Sequence, residues 1–149
     1  MLSIDLLDIN VWLAFADENH MHHIRARHYW EAEAVRQVAF TRTTMLGLLR
    51  LLTNKVVMAG HPFTVAEAWS AYQSFRKLPE VVWIGDQIDL AAQADDVLAE
   101  MTKARDFTPL HWTDAHLAAL ARVTGCRLVS FDSDFRRYKG LAFLHLTDA

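Results

Sequence analysis

Apolar residues in this chain gather into short runs separated by stretches with helical spacing, and the two patterns alternate from end to end. Leu2-Ser3-Ile4-Asp5-Leu6-Leu7 sets Leu6 beside Leu7 instead of alternating with polar residues. That predicts a strand buried on both faces, as in the middle of a parallel sheet. Asn10 is placed to cap a short helix through Val11-Trp12-Leu13-Ala14-Phe15 that ends near Asp17 and Glu18. Ala26, Tyr29, Trp30 and Glu33 share one face of a helix from His22 to Ala34, and Val38-Ala39-Phe40 reads as a second strand. Thr43 or Thr44 caps the next helix. Its Leu46, Leu48, Leu49, Leu51 and Leu52 are too many for one stripe and predict burial on more than one side.

Gly60-His61-Pro62 then breaks the chain, and Thr64-Val65-Ala66-Glu67 has the form of a capping box opening a helix to about Lys77. Val81 to Ile84 is the third strand. Ile88, Ala91, Ala94, Leu98 and Met101 mark a helix face to about Arg105, followed by a loop from Phe107 to His111. Thr113 caps a helix that buries Leu117, Leu120 and Ala121 and closes at Gly125. Arg127 to Phe131 is the fourth strand, Phe135 to Gly140 a turn, and Leu141 to Leu146 a last short strand. Strands alternating with helices require right-handed crossovers. The fold class is therefore α/β, with a central, mainly parallel sheet of four to five strands flanked by helices.

With 149 residues the chain has the size of one domain, read here as 1–149, and 52% hydrophobic residues suffice for one core. The longest apolar stretches, Val11 to Ala16 and Leu117 to Ala121, fall far short of the roughly 20 residues a membrane-spanning helix needs. A lone cysteine, Cys126, has no internal partner, and no basic region followed by a long apolar stretch opens the chain. The cytoplasm is the expected location. A net charge of −3 gives no global attraction to nucleic acid, so any such contact rests on local basic groups or metal ions.

Aspartates stand where the apolar runs end. Asp8 leaves the first strand, Asp114 opens a helix, and Asp132 and Asp134 follow the fourth strand. In a parallel sheet such positions converge on one crevice however distant they are in sequence. Carboxylate oxygens suit a hard cation such as Mg²⁺ or Mn²⁺, with Asp8 and Asp114 as the best ligand pair. Phosphodiester hydrolysis is the chemistry such a site serves. There is no Gly-rich phosphate loop and no nucleophilic Ser or Cys motif, which excludes ATP use. A phosphorylated-aspartate phosphatase would need a second Asp two residues after Asp8, where this chain has Asn10.

The segments Leu7-Asp8-Ile9-Asn10-Val11-Trp12-Leu13, Trp112-Thr113-Asp114-Ala115-His116-Leu117-Ala118-Ala119 and Leu128-Val129-Ser130-Phe131-Asp132-Ser133-Asp134-Phe135 resemble the three signature blocks of PIN-domain ribonucleases. More narrowly they resemble the VapC toxins of bacterial toxin-antitoxin pairs, in order and spacing along nearly the whole chain. The resemblance implies a PIN-like three-layer sandwich and a Mg²⁺-dependent endoribonuclease, with Mn²⁺ able to substitute. It implies a homodimer held inactive by a cognate VapB-like antitoxin, with RNA as substrate. Carried over by motif, Asp8 and Asp114 are metal ligands, Asp132 and Asp134 complete the catalytic acids, and Asn10 and Thr113 orient carboxylates or water. Arg50, Arg136 and Arg137 are candidates for steadying phosphates.

One departure stands out. The family usually carries a Glu on the helix after the second strand, and Gly47 occupies that place; no Asp or Glu occurs between Glu33 and Glu67. This puts a second metal in question and keeps open a PIN-like module that binds RNA or a partner protein without cutting. Gly47 itself reads first as a close helix crossing. His20, His22 and His23 suggest a soft-metal site, but adjacent histidines on a helix point in different directions. RNA contact or capping suits them better. The helices at Met45 to Leu52 and Val65 to Lys77 are candidate dimer and antitoxin surfaces.

Overall fold

The computed structural model describes residues 3–147. Leu2, which heads the first apolar run, lies outside them. Strands β1 (Ile4–Leu7), β2 (Gln37–Phe40), β3 (Val81–Trp83), β4 (Arg127–Ser130) and β5 (Phe143–His145) form one sheet in the order β3-β2-β1-β4-β5. Every pairing is parallel. All four residues of β1 are buried, as the unbroken apolar run predicts for a central strand.

Helices cover both faces. Leu7, Val38 and Phe40 point into a core shared with α1 (Ile9–Ala16), α3 (Arg42–Leu52) and α4 (Val65–Arg76). Ile4, Leu6 and Ala39 point the other way, toward α5 (Ile88–Met101) and α6 (Trp112–Thr124), as the two-residue period of a strand demands. The first core centres on Trp12, fully buried, with its ring stacked on Phe40 at 3.7 Å. Trp12 is thus a core anchor, while Trp112 is exposed at the start of α6.

Several element ends differ from expectation because side chains compete for caps. Asp8, not Asn10, caps α1, its Oδ1 accepting from the Ile9 amide at 2.8 Å. Thr41 caps α3, not Thr43 or Thr44 as expected, and Thr44 returns the bond from the third helical position. The Thr64–Glu67 box forms as read. Helix α6 opens at Trp112 behind His111, so Thr113 is not its cap; the expected loop before it contains a 3-10 turn, Pro109–His111. Gly125 ends α6 at φ 74°, the left-handed conformation that a residue without Cβ adopts freely. The stretch from Phe135 becomes part of a 3-10 turn, Ser133–Arg137. In α3, Leu48 and Leu52 are buried but Leu46 is exposed, so the leucine-rich helix is covered on one side only.

The helix expected from His22 to Ala34 is α2 (His23–His28) followed by a π-helical turn, Tyr29–Glu33. That turn docks on a buried ion pair. Asp5 is fully buried on β1 and accepts from Arg127 Nε and Nη2 at 2.9 and 2.8 Å, and from the Tyr29 hydroxyl. Arg127 also donates to the Glu33 carbonyl at 2.9 Å.

Helices α1 and α3 cross tightly. A Cβ at Gly47 would lie 2.3 Å from Ile9 Cδ1 and 2.8 Å from its Cγ1, well inside contact distance. Gly47→Ala gains about 1 kcal/mol of helix propensity but forces Ile9 from its place, an overpacking cost of about 1–3 kcal/mol. A net loss of about 1 kcal/mol, a fall of some 2–4 °C in Tm, is expected. In an Ile9→Ala background the same substitution should stabilise; thermal melts of the four chains that show no sign change would refute the crossing as the reason for Gly47.

Candidate active site

Strand order in the sheet reverses between β1 and β4, since the chain runs outward through β2 and β3 before returning to β1's other side. At such a reversal the loops leaving the carboxyl ends part and open a crevice. Asp8 and Asp132 sit on its two lips. The Asp8 amide donates to the Val129 carbonyl at 2.9 Å and so ties the exit of β1 to β4.

Ser130, the last residue of β4 and fully buried, is the hub. Its hydroxyl donates to Asp8 Oδ2 at 2.7 Å and accepts from Asn10 Nδ2 at 3.1 Å and from the Asp132 amide at 2.9 Å. One donor and two acceptor sites are all a hydroxyl has. Asn10 Oδ1 in turn accepts from the Phe131 amide at 3.3 Å. Asp8, Asn10 and the chain entering Asp132 are therefore held as one piece. Sequence reasoning assigned Ser130 no role; its place at the end of a buried strand, two residues before Asp132, was the available signal.

Asp132 caps the 3-10 turn through Oδ1, which accepts from the Asp134 amide at 2.9 Å, while Asp134 is exposed. Asp114 is half-buried in the first turn of α6. Burial, and then the charges of Asp8, Asp132 and Asp134, push its pKa up to about 7. Asp8 is also raised, chiefly by burial, against the lowering pull of its bonds to Ser130 and Ile9. The four acids thus form one electrostatic cluster. Among the described residues none of them is in an ion pair with Lys or Arg.

Other sequence candidates fall differently. Asn10 is in the network, but Thr113 is exposed and bonds to none of the acids. Arg50 lies in the last turn of α3, beside Leu49, Thr53, Val65 and Trp69 in a cleft of about 180 Å³ away from the carboxylates. Arg136 is exposed with Nη2 3.2 Å from His145 Nδ1, and Arg137 is engaged by Asp106 and His111. The histidines do not converge on a metal: His23 Nδ1 is 2.6 Å from the Ala14 carbonyl, His20 Nδ1 accepts from the His22 amide, and the His22 ring stacks on Phe131 at 4.3 Å.

Comparison with known proteins places this arrangement. The model of the PIN domain matches residues 6–141, from β1 to the approach to β5. The chain belongs to the PIN-domain family. Ribonuclease VapC41 of Mycobacterium tuberculosis is 38% identical over 91% of this chain and 94% of its own length. In fold, this PIN domain superposes on VapBC2 from Rickettsia felis, solved bound to a promoter DNA fragment, with a TM-score of 0.66 at 14% identity, covering 97% of this chain and 99% of that one. It superposes on VapC20 of M. tuberculosis, a sarcin-ricin loop cleaving toxin, with a TM-score of 0.65 at 21% identity, covering 93% and 98%.

The donor set of this PIN domain fits a hard divalent cation. Among the described residues no three His, Cys, Asp or Glu side chains already form a cage. However, Mg²⁺ keeps several waters and is commonly held by one or two carboxylates, and this all-oxygen donor set, in which burial and neighbouring carboxylate charges raise the pKa of Asp114 and Asp8, matches that requirement. The same cluster gives a sign for pH dependence. In the chelated, metal-free chain the folded state holds Asp114 protonated up to about pH 7, whereas the unfolded chain releases that proton near 3.8. Folding stability therefore falls as pH rises across that window. Asp114→Asn should raise Tm by a few degrees at pH 8 in EDTA, with the gain vanishing at pH 4. Magnesium should raise the Tm of the parent chain more than that of the variant; equal responses would remove Asp114 from the site.

Proposed function

We propose that this chain is an endoribonuclease that hydrolyses RNA phosphodiester bonds and acts as the toxin of a toxin-antitoxin pair. The observation that carries the reading is a cluster of four carboxylates, Asp8, Asp114, Asp132 and Asp134, at the sheet's reversal, with no Lys or Arg among the described residues paired to it. Its relative VapC41 bears the name ribonuclease. Asp8 and Asp114 would hold Mg²⁺, for which Mn²⁺ can substitute. Bound there, the ion supplies Lewis-acid chemistry, offsetting charge on the phosphoryl oxygens and making water a better nucleophile near neutral pH.

The protein groups do the positioning. Ser130 and the Ile9 amide fix both oxygens of Asp8, so its orientation is set before any ligand arrives. Asp132 uses Oδ1 on its own turn and leaves Oδ2 to orient an attacking water. Asp134, exposed beside it, would take up that water's proton. The cognate partner is a VapB-like antitoxin. The exposed Leu46, Val65 and Trp69 on α3 and α4 are apolar surface suited to antitoxin binding or homodimer formation. A reducing cytoplasm suits the unpaired, buried Cys126.

Cleavage of RNA by the purified chain, freed of any partner, tests the reading. Asp8→Asn and Asp114→Asn should each slow cleavage by about 10²-fold or more, the scale of losing one charge-stabilising group, and EDTA should abolish it. Ser130→Ala should slow it by about 10-fold to 100-fold, as loss of a group that orients a ligand does. Survival of full activity in EDTA or in either Asn variant would sink the mechanism. The missing helix acid, its place at Gly47 filled by Ile9, favours a second reading, a PIN-like module that binds RNA or a partner protein without cutting; tight Mn²⁺ binding without turnover of any RNA would select it.

A further inference from the structure

A cleft of about 450 Å³, within the roughly 300–1,000 Å³ span of small-molecule sites, is formed by the end of α5, the last turn of α6 and the end of the 3-10 turn after Asp132. It is lined by four cations, Lys103, Arg122, Arg137 and Lys139, against two carboxylates, Glu100 and Asp106, in a chain of net charge −3. Both carboxylates are already engaged. Lys103 pairs with Glu100 at 3.0 Å, and Arg137 pairs with Asp106. Among the described residues Arg122 and Lys139 have no carboxylate partner. Arg122 lies along the chain at Gly140, where a Cβ would sit 3.4 Å from its Nε.

The wall toward the acids is Tyr138. Its hydroxyl is buried and makes no hydrogen bond of ordinary geometry, although the Arg137 guanidinium is close enough to act on it. The charge of Asp114 reaches the same phenol, so the Tyr138 wall is the part of the cleft nearest the carboxylates, and Arg122 lies eight residues further along α6. Across the cleft is Phe107, held edge-on to Trp112 at 4.8 Å and so kept from collapsing inward. Unpaired cations beside aromatic rings are what a single-stranded nucleic acid requires, the cations for its phosphates and the ring faces for its bases.

We propose that this cleft binds single-stranded RNA on one side of the bond to be cut, with Arg122 and Lys139 on its phosphates and Phe107 and Tyr138 against its bases. The assignment rests on the ribonuclease reading and gives the substrate a path. It also explains how an acidic protein engages a polyanion: the net charge repels, but a local pair of cations left unpaired among the described residues attracts at short range.

Fluorescence anisotropy of a labelled, mixed-sequence single-stranded RNA dodecamer, in EDTA so that nothing is cut, tests it. The double variant Arg122→Ala/Lys139→Ala should bind about ten-fold more weakly. Its slope of log affinity against log salt should be shallower by about 1.4, two phosphate contacts at about 0.7 each. Lys55→Ala, remote from the cleft, should change neither. An unchanged affinity and slope in the double variant, or an equal loss in Lys55→Ala, overturns the inference, as does an effect confined to binding of a protein partner. Failure here with cleavage still abolished by Asp8→Asn would leave the ribonuclease reading standing, whereas cleavage that survives Asp8→Asn would defeat that reading whatever the cleft binds.

Discussion

Asp8 is a buried carboxylate without a counter-charge among the described residues, and the surroundings of the site follow from holding it there. Three residues earlier, within β1, Asp5 is buried completely, but Arg127 and Tyr29 meet both of its oxygens. Removing a partner from such a buried pair costs about 3–5 kcal/mol. Asp8 is given only neutral donors, Ser130 and the Ile9 amide, together with the favourable field at the start of α1. Neutral donors orient a carboxylate without cancelling its charge. That difference separates an acid that holds the fold together from one left available to a cation.

The two ends of β1 therefore do different work. At its start, the Asp5 cluster clamps the π-helical turn to β1 and β4 and fixes how those strands lie. At its exit, the Asp8 amide bonds to Val129 and the Asp8 side chain to Ser130, so the crevice inherits that register. Packing near Arg127 and chemistry near Ser130 are linked through the four residues of β4.

Much of this was legible in the sequence because its signals are local. The run through Leu6 and Leu7 reads as a doubly buried strand since both periodicity and composition report burial, and Thr64 with Glu67 carries its cap in four consecutive residues. Acids at strand exits could be named because a parallel sheet sends all exits to one edge. What was not legible depends on contacts distant in the chain. Asp8 and Asn10 compete for one cap, and the winner is decided partly by Ser130, 120 residues from Asn10. Similarly, the π-helical turn follows from where Arg127 and Asp5 meet, and Arg50 looked suitable by charge alone though its helix carries it away from the site.

Gly47 shows how an absence in the sequence becomes a constraint in space. Ile9 occupies the volume a side chain there would need, and Ile9 directly follows Asp8, whose Oδ1 its amide holds. A glutamate at position 47 would have to displace the residue that orients the principal acid. The close crossing of α1 on α3 thus seats Asp8 while excluding an acid from that part of α3, and the two effects cannot be separated by one substitution. Charge that a helix acid would have supplied has to come from the other side of the crevice. There burial, and then the charges of Asp8, Asp132 and Asp134, raise the pKa of Asp114 to about 7, which is the condition of a carboxylate cluster that the fold itself leaves without a counter-charge among the described residues.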